Sequence, residues 1–304
     1  MNTFWIILTG ALVAASCGFL GCFLILRRMA MLGDAISHSI LPGIVIAFLF
    51  SGSRETLPML VGAAIIGMLT VFIVQLLHQS GVKSDAAIGV TFTALFSVGV
   101  VLVSLYTQQV DLDLDCVLYG EIAYVPWDTW QIGGMDLGPR AVWGVGGVFL
   151  FSLLIVGLFF KQFKLVSFDP AMAAAVGIPV VLFHYLLMTL VSLTTVAAFE
   201  SVGAILVVAM MVVPSATAYL LTDRLHVMLL LSIVIGVLCS VLGYLLASWL
   251  DSSIAGAMTA VSGFLFLLAF LFSPRHGVVA KTIAQRKVRM GEQHESYRKR
   301  QKPA

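Results

Sequence analysis

The sequence predicts an all-α polytopic membrane helix bundle with about eight or nine transmembrane helices. Hydrophobic residues make up 60% of the 304 residues and charged residues only 11%, and the mean hydropathy is +1.06. The hydrophobic residues form runs of about 20 residues, the length that crosses a bilayer as a helix. The runs lack the alternation of barrel strands, so helices are expected.

Nine apolar segments are expected to span the membrane, at residues 4–26, 31–50, 57–77, 86–106, 141–160, 178–198, 202–221, 226–249 and 256–272. The first ends at Arg27-Arg28 rather than at a small-residue cleavage site, so we interpret it as a span, with a retained signal sequence as the alternative. Pro42-Gly43 predicts a kink in the second segment. The third and fifth contain several glycines, which favour close packing of helices in lipid.

The later segments leave two alternatives open. Residues 116–139 lie between the fourth and fifth segments and allow a re-entrant or surface helix. Pro214 allows a break in the seventh segment. The sixth contains His184 among apolar neighbours, and we interpret this histidine as a packing residue. The eighth and ninth are continuous apolar runs on either side of Asp251.

The loops between the segments alternate in charge, which predicts an orientation. The positive-inside rule places the basic loops in the cytoplasm, so the N-terminus is expected outside and the C-terminus inside. Arg54 and Arg140 are exceptions to this pattern. The basic loops contain Arg27, Arg28, Lys83, Lys161, Lys164 and Arg224, and the acidic loops contain Glu55, Asp111, Asp113, Asp115, Glu121, Asp128, Asp136 and Asp251.

The chain is expected to have two parts, a transmembrane domain at residues 1–273 and a basic cytoplasmic tail at 274–304. Nine of the 17 lysines and arginines lie in the tail, which we expect to be attracted to anionic membrane lipid. The four cysteines show no CxxC spacing, so neither a disulfide framework nor a thiolate metal site is expected.

Asp34 and His38 are the candidate metal-binding residues. They lie four residues apart, about one helical turn, so both side chains project from one helix face. Ionisable side chains inside a span usually mark a pathway for an ion or substrate, and a carboxylate with an imidazole suits a first-row divalent metal. Ser37 and Ser39 are expected to leave polar room around the pair. In the structural alternative, Asp34 caps the start of the second span near the cytoplasm.

Glu200 is a third candidate for metal contact. It lies between the sixth and seventh segments. The alternative is a solvated residue in a short outward-facing turn.

The cytoplasmic loop from Lys161 to Pro179 predicts a short docking helix. Asp169 is suited to cap it, Pro170 to occupy its first position and Gly177 to end it. Ala-rich residues, including Ala174, lie between them. We expect this helix to bind a groove on a partner protein, with a plain connecting turn as the alternative.

Several classes of function are excluded or disfavoured. The chain has no Gly-x-x-x-x-Gly-Lys-Ser/Thr loop for ATP phosphates. It also has no evident nucleophile–base arrangement and no nucleic-acid-binding motif. We therefore expect a transport subunit rather than an enzyme.

Three stretches resemble the membrane subunits of manganese/zinc/iron ABC importers. The residues 33–43 (GDAISHSILPG) are similar to the second-helix signature of that family. The residues 167–179 resemble its coupling-helix loop, and 199–220 (FESVGAILVVAM through VPSATAYL) resemble its next signature. The stretches occur in the family's order, and the similarity extends from about residue 5 to residue 273.

This resemblance implies a type II importer in a bacterial plasma membrane, like the vitamin B12 system. Its implied partners are a cytoplasmic ABC ATPase, an extracellular metal-binding protein and a second permease subunit, identical or paralogous. It implies that Asp34 and His38 contact the metal in transit and that residues 169–177 contact the ATPase. The sequence Phe-Glu-Ser-Val-Gly around Glu200 is similar to the manganese branch. Mn²⁺ is therefore the expected cargo, with Zn²⁺ or Fe²⁺ as alternatives and no permanently bound cofactor.

Two rival functions remain at this point. A proton-coupled secondary transporter or metal channel would need no ATPase. A membrane scaffold would leave the cost of an intramembrane Asp/His pair unexplained.

Overall fold

A computed structural model of the chain describes residues 2–51, 56–106, 122–132 and 135–273. The acidic residues 111–115 and the predicted basic tail at 274–304 lie outside these ranges. The helices are α1 (Asn2–Leu26), α2 (Leu32–Ser39), α3 (Leu41–Ser51), α4 (Thr56–Gln79), α5 (Ser84–Tyr106), α6 (Arg140–Leu158), α7 (Phe160–Phe168), α8 (Pro170–Ala175), α9 (Val180–Val202), α10 (Ala204–Leu221), α11 (Leu225–Leu250) and α12 (Ile254–Phe272), and the strands are β1 (Thr129–Ile132) and β2 (Met135–Pro139).

The predicted helix bundle is confirmed. Within the described ranges, nine helical stretches are long and apolar enough to cross a membrane, with α2 and α3 counted as one. The short helices α7 and α8 lie between the spans α6 and α9. Cys17, Cys22 and Cys239 are buried and free, in agreement with the absence of a disulfide prediction.

The centre of the bundle is formed by α1, which is buried along most of its length. It packs against α6, α9, α10 and α11. At Gly21 a β-carbon would collide with the main-chain carbonyl of Met211, so the backbones of α1 and α10 are in direct contact. Small residues permit such approaches in lipid, where close packing drives helix association.

The helix with the candidate metal ligands, α2, packs against α4, α5, α9 and α10. The second predicted span consists of two helices, α2 and α3, which meet at Ile40. The predicted effect of Pro42 is consistent with this interruption: proline has no N–H to donate to the carbonyl of His38, four residues earlier.

The structure bears on two alternatives from the sequence, and the break at Pro214 is wrong. Pro214 lies inside α10, which continues to Leu221. The helix is held against α1 there, because the Ser215 hydroxyl donates to the carbonyl of Gly18 at 2.9 Å. The alternative of a re-entrant or surface helix at 116–139 falls partly outside the described residues, and its described part contains a 3-10 turn at Val125–Trp127 and the antiparallel strands β1 and β2.

Candidate functional site

Asp34 and His38 lie on the same face of α2, as their spacing predicted. The Oδ1 atom of Asp34 is 3.4 Å from the Nε2 atom of His38. This separation is longer than a strong hydrogen bond. It fits two ligands of one cation, because metal–ligand bonds of about 2.1 Å place neighbouring donor atoms about 3 to 3.5 Å apart.

The His38 side of the pair lies beside the middle of a neighbouring span. The imidazole ring of His38 is 6.0 Å from the ring of Phe92 and 6.0 Å from that of Phe96, measured between centroids. Both phenylalanines lie near the middle of α5, a span of 23 residues. An ionisable pair at this depth is costly unless it has a function.

The pair is also partly open. The side chain of Asp34 is 39% exposed and that of His38 is 31% exposed. The other residues of α2 from Leu32 to Ser39 are buried. The chain therefore offers these two donors on the single uncovered stripe of an otherwise enclosed helix.

The capping alternative for Asp34 is wrong. Met31 is the residue that precedes α2, and no side chain caps this helix. The expectation for the two serines is also wrong. Ser37 and Ser39 are buried, and their hydroxyls donate to the carbonyls of Gly33 and Ala35 on their own helix. Phe92 and Phe96 occupy the surroundings that we expected to be polar.

The described residues contain no group of three or more His, Cys, Asp or Glu side chains that could hold a metal. Asp34 and His38 therefore offer two candidate donor atoms and no larger cluster within the described residues. The backbone of Glu200 belongs to the last turn of α9, and Gly203, with φ of +79°, separates α9 from α10. The alternative of a separate turn at Glu200 is therefore wrong, and its side chain lies outside the description.

The predicted docking helix is present as α8. The Asp169 carboxylate accepts a hydrogen bond from the backbone N–H of Met172 at 2.9 Å, and Pro170 occupies the first helical position. The helix ends at Ala175, and the chain turns away at Gly177, whose φ of +84° is one that glycine adopts without steric cost. Ala174 is exposed. Each of the four named residues thus lies where its sequence position predicted.

The sequence analysis missed an apolar stripe on this loop, the docking stripe, formed by Phe168, Met172 and Val176. Their exposures are 54%, 54% and 65%. Phe168 ends α7, Met172 lies in α8 and Val176 directly follows α8, so the three exposed side chains line one short segment of the loop. Their spacing was visible in the sequence. An apolar stripe exposed on a loop beyond the spans is typical of a protein–protein contact.

Residues 1–273 match the ABC 3 transport family. The chain belongs to this family. The manganese transport system membrane protein MntD of Bacillus subtilis is 55% identical to it over 290 residues, which cover 94% of this chain and 98% of the relative. The zinc transport system membrane protein TroD of Treponema pallidum is 44% identical over 289 residues, or 95% of this chain and 78% of the relative.

A solved structure shares the fold. This is the structure of PsaBC from Streptococcus pneumoniae in complex with Fab. The match covers 90% of this chain and 92% of the chain in that structure, with a TM-score of 0.75 and 34% sequence identity. These similarities confirm the predicted family, and the chain is a multi-pass membrane permease subunit of an ABC transporter.

Proposed function

We propose that this permease subunit carries Mn²⁺ into the cytoplasm, with Asp34 and His38 as its ligands in transit. The observation that carries the proposal is the pair itself: an oxygen and a nitrogen donor 3.4 Å apart and partly open, within a membrane-spanning segment. Their half-burial supports a transient site, since a cation can enter and leave without unfolding α2.

The choice of metal rests on two considerations. Carboxylate oxygen and imidazole nitrogen accept Mn²⁺, Fe²⁺ and Zn²⁺, and their affinities increase in that general direction. Selectivity for Mn²⁺ would thus come from coordination number or from the delivery protein. The relative named for manganese is 55% identical and the one named for zinc is 44% identical. Manganese is the first choice, and zinc or iron is the alternative.

The remaining ligands would come from beyond the pair. The carbonyl of His38 has no N–H to accept from at Pro42 and is therefore a further candidate ligand. Glu200 is a further candidate. The open stripe on α2 supports a pathway that a second permease subunit, identical or paralogous, completes.

The basic loops support the expected orientation, with the N-terminus outside and the C-terminus in the cytoplasm, and exposed aromatic residues mark an interface at the other end of the spans. Tyr106, Trp127, Trp143 and Trp249 are exposed at one end of the spans. Exposed tryptophan and tyrosine are typical of a membrane–water interface. The basic loops lie at the opposite end. In this orientation α8 faces the cytoplasm and the hairpin of β1 and β2 faces outside.

The docking stripe supports a cytoplasmic ABC ATPase as the driving partner. Closure of the ATPase dimer on ATP would push α8 and, through α7 and α9, change the access to Asp34 and His38. An extracellular metal-binding protein would deliver the ion from the other side. A secondary transporter needs no such partner, whereas a scaffold would leave the Asp34 and His38 pair inside the span unexplained.

Transport by the reconstituted complex tests the proposal. The chain is purified with its ATPase partner, placed in liposomes with the metal-binding protein, and assayed for radioactive Mn²⁺ uptake with and without ATP. We expect ATP-dependent uptake that excess unlabelled Mn²⁺ suppresses at lower concentrations than Zn²⁺ or Fe²⁺ does. Stronger competition by Zn²⁺ would transfer the assignment to zinc, and uptake driven by a proton gradient without ATP would support the secondary transporter.

A further inference from the structure

The ends of α1, α4, α7 and α9 that the proposed orientation places at the cytoplasm enclose a cavity of about 390 Å³. We call it the inner cavity. No carboxylate is among its lining residues, although two arginines are. Its polar lining is formed by Arg27, Arg28, Gln75, Gln79, Ser167, His184 and Tyr185. The cavity is therefore rich in hydrogen-bond donors and carries positive charge.

Arg27 organises one wall of the inner cavity. Its Nε atom donates to the Ser167 hydroxyl at 3.2 Å, and its Nη1 atom lies 3.3 Å from Nδ1 of His184. A guanidinium can only donate, so Nδ1 of His184 accepts and the imidazole proton resides on Nε2. His184 is thus tied to Arg27 and is more than the packing residue that the sequence suggested.

Two buried donors remain after these bonds are made. The Nη2 atom of Arg27 and the Nε2 atom of His184 are buried and have no hydrogen-bond partner in the described part of the chain. Burial lowers the pKa of Arg27 to about 10, so its guanidinium stays charged at neutral pH. Buried donors without an acceptor are costly, and a rotation that turned the free N–H of Arg27 toward an anion in the cavity would remove that cost.

Arg28 is held in an unusual backbone conformation at the same place. Its φ is +58°, and α1 ends there with Met29 donating to the carbonyl of Leu24 at 2.9 Å. Gly177 occupies the equivalent position at the end of α8, where Ile178 donates to the carbonyl of Ala173. Glycine adopts this conformation more easily than arginine. The sequence thus retains a second cationic side chain at the inner cavity despite a backbone cost.

We propose that the inner cavity binds a phosphate group, supplied by an anionic phospholipid of the cytoplasmic leaflet. Phosphate oxygens accept hydrogen bonds, and guanidinium groups bind them well. The cavity lies where the spans end, at the depth of lipid headgroups. Leu26, Val180 and Val181 also line it and provide apolar contact for the glycerol end of a lipid. This site is separate from Asp34 and His38 and does not depend on which metal is carried.

Thermal unfolding of the purified permease–ATPase complex tests this site. The complex is kept in uncharged detergent and titrated with phosphatidylglycerol, with phosphatidylcholine, or with inorganic phosphate at constant ionic strength. We expect phosphatidylglycerol to raise the Tm by several degrees, as a ligand that binds only the folded state does. An equal rise in Tm with inorganic phosphate would show that free phosphate is sufficient. A rise with phosphatidylglycerol but not with inorganic phosphate would identify the lipid as the source.

Three variants assign the effect to the inner cavity. Gln79→Glu places a carboxylate among the lining donors without touching Arg27, and we expect it to weaken the phosphatidylglycerol effect about tenfold through repulsion at short range. Arg27→Gln should remove the effect. Arg224→Gln removes one exposed positive charge from another basic loop and should leave it intact. Equal effects of phosphatidylglycerol on all variants, or no effect of either phosphate source on the wild-type complex, would overturn the proposal. If neither phosphate source affected the wild-type complex, a carboxylate of the ATPase would be the remaining candidate occupant of the inner cavity.

Discussion

Asp34 and Asp169 are both at the start of a short helix, yet the structure uses them differently. The Asp169 carboxylate accepts a backbone N–H of its own helix and caps α8. The carboxylate of Asp34 caps nothing, and its near partner is the imidazole of His38. Asp169 lies in a loop between spans and is exposed, whereas Asp34 lies within a membrane-spanning segment and is partly buried.

This difference separates a structural carboxylate from one that can bind a cation. A capping carboxylate accepts hydrogen bonds from the backbone and stabilises the helix by about 1 kcal/mol. A carboxylate that faces a second ionisable group inside a span has to be satisfied by an ion or a proton. Mutation of the two aspartates is therefore expected to have different effects: loss of cation binding at Asp34 and loss of helix stability at Asp169.

The largest expected effect is that of Asp34→Asn. It keeps the shape of the side chain but removes the charge that binds the cation. We expect ATP-dependent Mn²⁺ uptake to fall at least about 100-fold, since loss of a direct ligand exceeds the cost of losing an outer-shell partner. Uptake in liposomes with equal amounts of complex is the measurement, and Asp169→Asn is the matched control. Near-normal uptake by Asp34→Asn would remove this residue from the pathway.

The docking stripe is tested by Met172→Glu against Ala174→Glu. Both positions are exposed on α8, but they lie on opposite sides of the helix. A charge buried in an apolar interface is costly, so we expect Met172→Glu to weaken binding of the ATPase at least about tenfold. Co-purification of the two subunits measures this. A greater loss with Ala174→Glu would assign the contact to the face that the sequence analysis named.

A smaller effect is expected for Asp169→Ala. Loss of the cap destabilises α8 by about 1 kcal/mol, so uptake should fall up to about fivefold. Asp169→Ser should recover most of the activity, because serine also caps helices. Uptake rates at saturating Mn²⁺ distinguish the variants. If Asp169→Ser were as impaired as Asp169→Ala, the carboxylate itself would be needed, and capping would not explain its role.

The smallest effect is expected for Pro42→Ala. The new N–H can bond to the carbonyl of His38, which would withdraw that carbonyl from the pathway and straighten the junction of α2 and α3. One hydrogen bond of this kind should lower uptake about two- to threefold. Pro58→Ala, in the first turn of α4, is the control, because no carbonyl within that helix lies four residues before it. Unchanged uptake in both would exclude the carbonyl of His38 as a ligand.

Local patterns predicted the docking loop and the candidate pair well. Asp169, Pro170 and Gly177 act through the backbone of their own helix, so their roles follow from residue type and position. The i and i+4 spacing of Asp34 and His38 likewise placed them on one face. The positions of Ser37 and Ser39 were misjudged, because a hydroxyl in an apolar helix bonds to its own backbone instead of the neighbouring space.

The partners of Arg27 could not be predicted from the sequence. Ser167 and His184 are 140 and 157 residues away along the chain, and no spacing rule links residues across separate spans. The continuation of α10 through Pro214 could not be predicted either, because it depends on the hydrogen bond from Ser215 to Gly18 of another helix. Contacts between helices depend on how whole spans pack.

The sequence by itself determined that the chain spans a membrane as a helix bundle, which face of α2 holds the candidate ligands, and how the docking helix begins and ends. These properties follow from hydrophobicity and from interactions within about one helical turn. The tertiary structure decided the depth of Asp34 and His38, the break at Ile40 and the enclosure of Arg27 and His184. The reason is that packing brings together side chains that are distant along the chain. Burial by several helices then decides which partners a polar side chain has and how much free energy its burial costs.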